Sequence, residues 1–163
     1  MRGSLKLLML SMLVLADWCT AAGGARPAVQ HFPVDASIAR AVQSRGARPP
    51  FSSAVRVGDI LYLSGQIGTR PDGTLPEGIT AQSRQTMDNI GAVLTRAGLR
   101  WGDVFQCLVM IDNISEWQAF NAVYVGYFPP GRLPARSALG ADGLALGALV
   151  EVECKAHAPA RRR

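Results

Sequence analysis

Cysteine, histidine and lysine are scarce in this chain, and aromatic residues supply only 7% of it. Three cysteines and two histidines in 163 residues exclude a small scaffold stapled by many disulfides. They also leave no Cys/His spacing of the kind that builds a metal site, since His31 and His157 stand alone near the two ends. There is no lysine-rich stripe with interleaved aromatics, so the formal charge of +5 gives no electrostatic footprint for nucleic acid. Long apolar runs are missing too. The one continuous run, residues 7–16, falls short of the roughly 20 residues that span a bilayer.

That run reads as the core of a secretory signal. Arg2 and Lys6 precede it, and Thr20, Ala21, Ala22 and Gly23 follow as small residues near a cleavage point. The expected organisation is therefore a signal peptide at 1–22, an N-terminal extension or tether at 23–48, one domain at 49–158 and a basic tail at 159–163. Removing the signal takes away two basic residues and one acidic one, so the charge falls from +5 to +4. The mature protein is expected in the periplasm or outside the cell, with no membrane attachment after cleavage. Cys107 and Cys154 remain. Both sit in apolar segments where a buried free thiol is the commoner state, with a disulfide as the alternative in an oxidising compartment.

The tether mixes Ala, Arg, Pro, Gln and Ser without a period, save for a short helix expected at 34–42 and capped by Asp35 or Ser37. Beyond it the pattern is legible. Residues 55–57 and 60–63 alternate around Gly58-Asp59, which predicts a hairpin. From Thr80 the period changes: Ala81, Met87, Ile90, Val93 and Leu94 recur at three- and four-residue spacings, with Gly98 as the stop signal. Residues 104–111 are a rich apolar strand. Ser115 is expected to cap a second helix over 116–128, with Trp117, Phe120, Val123, Tyr124 and Phe128 inward. Strands at 135–139 and 148–156 complete the order β-β-α-β-α-β-β. Two helices on one face of a mixed sheet make an α+β two-layer sandwich. The other face is too apolar to stay wet, which predicts self-association.

The chemistry concentrates near the end. Arg136 follows Pro134-Ala135 and offers a planar fork of donors that matches a carboxylate. Glu151 lies on a strand in which Val150 and Val152 face inward and Glu151 and Glu153 outward. It is either a solvated charge or a base for water. Together they would bind a small carboxylate and add water to it. Ser64 has no His–Asp partner, so a serine nucleophile is not expected; it is otherwise a turn residue bonding local backbone. Asn121 is otherwise a helix-face amide, and Trp101 and Trp117 read as packing residues.

Ser64-Gly65-Gln66-Ile67, then Gln85-Thr86-Met87-Asp88-Asn89-Ile90, Asn121 and Tyr124, Pro134-Ala135-Arg136-Ser137 and Glu151-Val152-Glu153 together resemble the RidA/YjgF family of reactive-intermediate deaminases, also called the endoribonuclease L-PSP family. The resemblance implies a chorismate-mutase-like subunit in a homotrimer with clefts between neighbours. It implies hydrolysis of enamines and imines of the 2-aminoacrylate, 2-iminobutanoate and 2-iminopropanoate type to 2-oxo acids and ammonia, without metal or organic cofactor; nucleic acid is not expected as a partner because the basic residues are scattered. By position, Arg136 would grip the substrate carboxylate and Glu151 would orient the water. Ser64 and the backbone at Gly65 would line the cleft, Asn121 would help shape it, and a main-chain carbonyl close to Ala138 would be the water's other anchor. The family often has tyrosine where Phe51 stands and cysteine where Ala138 stands, so a more apolar substrate is expected. A carboxylate-binding module without turnover and an endoribonuclease are the competing expectations.

Overall fold

The computed structural model describes residues 27–35, 39 and 49–159. The expected signal peptide, most of the helix expected at 34–42 and the tail beyond 159 lie outside the described residues. Of that helix, one i to i−4 bond is described: the Ala39 amide donates to the Asp35 carbonyl at 2.8 Å.

Among the described residues nine α-helices and β-strands follow in chain order: β1 (Val29–Phe32), β2 (Ala54–Val57), β3 (Ile60–Leu63), β4 (Gln66–Ile67), α1 (Ile79–Arg96), β5 (Val104–Ile111), α2 (Trp117–Tyr124), β6 (Ala135–Gly140) and β7 (Val150–His157). The strands form one sheet in the order β1-β2-β3-β7-β5-β6, with short β4 also paired to β7. Only β5 and β6 run parallel, joined by α2; the other pairings are antiparallel. The α+β order expected from the sequence is the one observed, with two strands added. β1 falls inside the expected tether and extends the sheet by pairing with β2.

Period-two alternation explains the layers. Along β7, Val150, Val152, Cys154 and Ala156 are buried, while Glu151, Glu153 and Lys155 turn to the other face. The same inward face takes Cys107, Val109 and Ile111 from β5 and Leu61 and Leu63 from β3. Helix α1 covers it with Met87, Ile90, Val93 and Leu94, and α2 adds Phe120 and Tyr124. Helix α1 ends where the sequence places its stop. Gly98 takes φ 75°, its amide reaches Thr95, and the Leu99 amide reaches back to the Leu94 carbonyl.

Two expectations need correction. The chain does not enter the second helix at Ser115: a 3-10 turn over Ile114–Glu116 comes first. The Asn113 carboxamide oxygen accepts from the Ser115 amide at 3.1 Å and its hydroxyl at 2.8 Å, so asparagine is the cap. The two cysteines are not free thiols. Register places Cys107 directly opposite Cys154, and the pair is a disulfide joining β5 to β7. Apolar context alone reads as buried thiol; the cross-strand pairing that brings the sulfurs together is a property of register.

The face away from the helices keeps Tyr62 and Leu139 more than two-fifths exposed, with Leu108 and Met110 half-buried between them. No helix among the described residues is long and apolar enough to cross a membrane.

Candidate active site

The residues singled out in the sequence fall into two groups at separate places on the sheet, with Arg136 and Glu151 on opposite faces.

The first group gathers on β6 and α2. The Arg136 guanidinium stacks over the rings of Trp117 and Tyr124, 4.6 Å from each centroid. One of its terminal nitrogens donates to the Asn121 carboxamide oxygen at 2.8 Å. Trp117, Asn121 and Tyr124 lie at i, i+4 and i+7 of one short helix, so a single stripe supplies both rings and the amide. The Tyr124 hydroxyl is buried without a hydrogen-bond partner among the described residues. Burial pushes this phenol up to about 12, against the opposing pull of the Arg136 charge. Held by two rings and one hydrogen bond, Arg136 is oriented while its other donors have no protein acceptor among the described residues. Ala138 follows two residues on, on the same strand face and exposed.

The second group gathers where β3 passes into β4 beside β7. Ile67 pairs with Glu151 and Gln66 with Val152. The Glu151 side chain lies across Gly65: a Cβ built on that glycine would sit 1.8 Å from the carboxylate oxygen Oε1. Only glycine allows this approach. Partial burial, and then the Glu153 charge, hold the Glu151 carboxyl above its usual value. A carboxylate raised this way is a stronger base than an exposed one. Ser64 does not offer its hydroxyl to the site; it donates to the Ser52 carbonyl at 2.7 Å and fixes the turn. Gln66 donates to the Ser64 and Gly65 carbonyls at 3.0 and 3.1 Å. Asn89 of α1 donates to the carbonyls of Ile67 and Thr69 at 2.8 and 2.9 Å. The motif residues Gln66 and Asn89 thus hold the backbone against which Glu151 rests.

A cleft of about 700 Å³ opens beside this second group. Gly65, Phe51, Ile67, Val93, Arg96 and Leu146 are among its walls. Arg136, Asn121, Ala138 and Glu151 are not among its lining residues. Among the described residues, no cluster of His, Cys, Asp and Glu is placed to hold a metal ion.

Trp117, expected from the sequence to be a packing residue, lies instead against the Arg136 guanidinium. The signal was present as a polar Asn121 set within an aromatic helix stripe.

Residues 42–158 match the family model described as Endoribonuclease L-PSP. The chain is 34% identical over 123 residues to the 2-iminobutanoate/2-iminopropanoate deaminase of Mus musculus, covering 72% of this chain and 90% of that protein. Among solved structures it is similar to YyfA of the Rid protein family from Yersinia pestis, with TM-score 0.69 and 36% identity over 80% of this chain and 99% of that one. It is also similar to E. coli TdcF with bound serine, at TM-score 0.64 and 29% identity, covering 68% of this chain and 90% of that one.

Proposed function

The chain belongs to the RidA/YjgF (endoribonuclease L-PSP) family, and from that premise we propose that it is a hydrolase converting 2-imino acids and their enamine tautomers to 2-oxo acids and ammonia. The observation that carries the reading is the mounting of Arg136. Its charge is oriented by Trp117, Tyr124 and Asn121 and leaves donors for a bidentate carboxylate. The name of the mouse relative, an imine deaminase, supports the same chemistry.

The step needs little from the protein. A protonated imine is already electrophilic. Water attacks the C=N carbon while Glu151 accepts one of its protons, and a tetrahedral carbinolamine forms. That proton passes to nitrogen; Glu151 then takes the hydroxyl proton as the C–N bond breaks and the C=O bond forms, and the ammonia that leaves carries this last proton away as ammonium. One water is consumed, one ammonia is released and no electrons change hands. Orientation supplies up to roughly 7–11 kcal/mol in favourable cases, and the base adds on the order of 10²–10⁴-fold.

Arg136 and Glu151 cannot meet within one chain, because they occupy opposite sheet faces. The reading therefore includes a homotrimer in which Arg136 of one subunit faces Glu151 and Gly65 of its neighbour. The exposed Tyr62 and Leu139 on the uncovered face support such association. Export belongs to the same proposal. The Cys107–Cys154 disulfide supports it, since such bonds persist in oxidising compartments.

A carboxylate-binding module without turnover is the second reading, favoured by a relative that holds serine. The test is hydrolysis of imines made in situ by an L-amino-acid oxidase, followed as loss of semicarbazone. Faster imine loss that disappears in Arg136→Ala supports the hydrolase. No acceleration with any of several amino acids leaves the binding module.

A further inference from the structure

The cleft beside Gly65 is larger than a three-carbon imino acid requires. Its 700 Å³ lies within the range of about 300–1,000 Å³ that encloses drug-sized ligands. Its walls are mostly carbon: Phe51, Ile67, Ala92, Val93 and Leu146. Two of them stand out. Phe51 and Leu146 are each 54% exposed, which is costly for large apolar side chains.

Leu146 carries a second cost. It is the one non-glycine residue with positive φ among the described residues, at φ 59° and ψ 15°. Leucine rarely adopts this left-handed conformation, and glycine or asparagine would hold it with less strain. A side chain that is strained, exposed and apolar contributes nothing to stability where it stands. Such an outlier points to a role at a site. The loop that carries it runs directly into β7 and Glu151.

The one cation among the described residues of the cleft wall is tied down. Arg96 donates to the Ser53 hydroxyl at 2.9 Å and pairs with Asp35 at 3.7 Å. Its charge is partly answered there, and the adjoining surface stays apolar.

We infer that this cleft receives the substrate's side chain, and that Phe51 and Leu146 select imino acids with bulky apolar side chains over those derived from alanine. The inference rests on the proposed deaminase reading. Gly65 links the two: the Glu151 side chain rests against it and it is one wall of the cleft, so on that reading the reacting carbon would sit at the Gly65 end. Each extra methylene seated in an apolar pocket is worth on the order of tenfold or more in discrimination.

Binding and turnover are measured separately, so that the two readings fail differently. Calorimetry compares 4-methyl-2-oxopentanoate with pyruvate on the purified protein and on Leu146→Gly, a change that relieves the strained backbone. The expected result is binding of the larger acid tighter by about tenfold or more, falling to about threefold or less in the variant. Equal affinity for the two acids, or a preference that Leu146→Gly leaves intact, overturns the inference. Turnover of leucine- and alanine-derived imines is then compared. The larger acid bound preferentially with no imine hydrolysed would keep the pocket and remove the deaminase. Hydrolysis that favours the alanine-derived imine would keep the deaminase and remove the pocket.

Discussion

Arg136 and Glu151 stand on opposite faces of one sheet. Arg136 is level with Cys107 on β5 and through it with Cys154 on β7, whereas Glu151 is level with Met110. Cys154 and Glu151 are three positions apart on β7, an odd number, so the two side chains point to opposite faces. With one strand, β5, between the strands of Arg136 and Glu151 and a three-position offset along it, their Cα atoms are about 14 Å apart by ordinary strand spacing. If Arg136 is the carboxylate clamp and Glu151 the water-orienting base, as proposed, the two would make a complete site only where a second copy meets the first.

On the proposed reading Arg136 holds the substrate carboxylate through its fork as well as its charge. Arg136→Ala is expected to lose about 10²–10³ in kcat/KM, or roughly 3–4 kcal/mol of transition-state binding. Arg136→Lys keeps the charge but cannot reproduce the planar donor pair or the stacking on Trp117 and Tyr124. Steady-state kinetics should place it within about tenfold of the alanine variant. A lysine variant with most of the wild-type activity would contradict the bidentate clamp.

Gly65→Ala inserts a carbon 1.8 Å from the Glu151 carboxylate oxygen. The obstacle is the end of a flexible side chain, so the backbone stays and the carboxylate moves. The expected outcome is a fall in kcat of about tenfold or more with little change in KM. Thermal melting followed by circular dichroism should shift by only a few degrees (about 1 kcal/mol or less). A large loss of stability with kcat retained would show that Gly65 serves the fold rather than the base.

Glu151→Gln separates catalysis from stability. Turnover should drop by about 10²–10⁴-fold while pyruvate binding persists. Burial raises the folded carboxyl above its ordinary value, so the folded chain holds that proton more tightly than the unfolded chain does. The wild type therefore loses stability as pH rises from the ordinary glutamate range through the raised folded value. The glutamine variant should be the more stable at neutral pH and lose that advantage below about pH 4. Urea titrations at several pH values measure it, and an advantage independent of pH would contradict the assignment.

The disulfide closes a loop with a sequence separation of 47. Reduction under denaturing exchange, or Cys154→Ser, should cost about 2–4 kcal/mol in urea unfolding. A reduced protein as stable as the oxidised one would count against a structural bond.

The layers were legible because the burial of β7 and α1 follows from period alone. Val150 to Ala156 alternate, and Met87 to Leu94 follow one helical stripe. What was hidden depends on register. Cys107 and Cys154 look like separate buried thiols until β5 and β7 are aligned. The faces of Arg136 and Glu151 can be assigned relative to each other only through the same alignment. Strand β1 was missed because Val29-Gln30-His31-Phe32, mostly exposed, carries no apolar alternation to announce an edge strand. The cap moved from Ser115 to Asn113 because a 3-10 turn precedes the helix. Leu146 gave no warning, since its left-handed backbone is set by the loop and not by its residue type.

The division of the site between subunits is tested most directly by mixing two inactive variants. Arg136→Ala retains Glu151, and Glu151→Gln retains Arg136. Unfolded together in equal amounts and refolded, they should form mixed trimers in which about one quarter of the sites carry both native groups. Recovery of imine hydrolysis toward that fraction of the wild type is the expected result, with each variant refolded alone as the baseline. Mixed trimers no more active than that baseline would contradict a site shared between two copies of this chain.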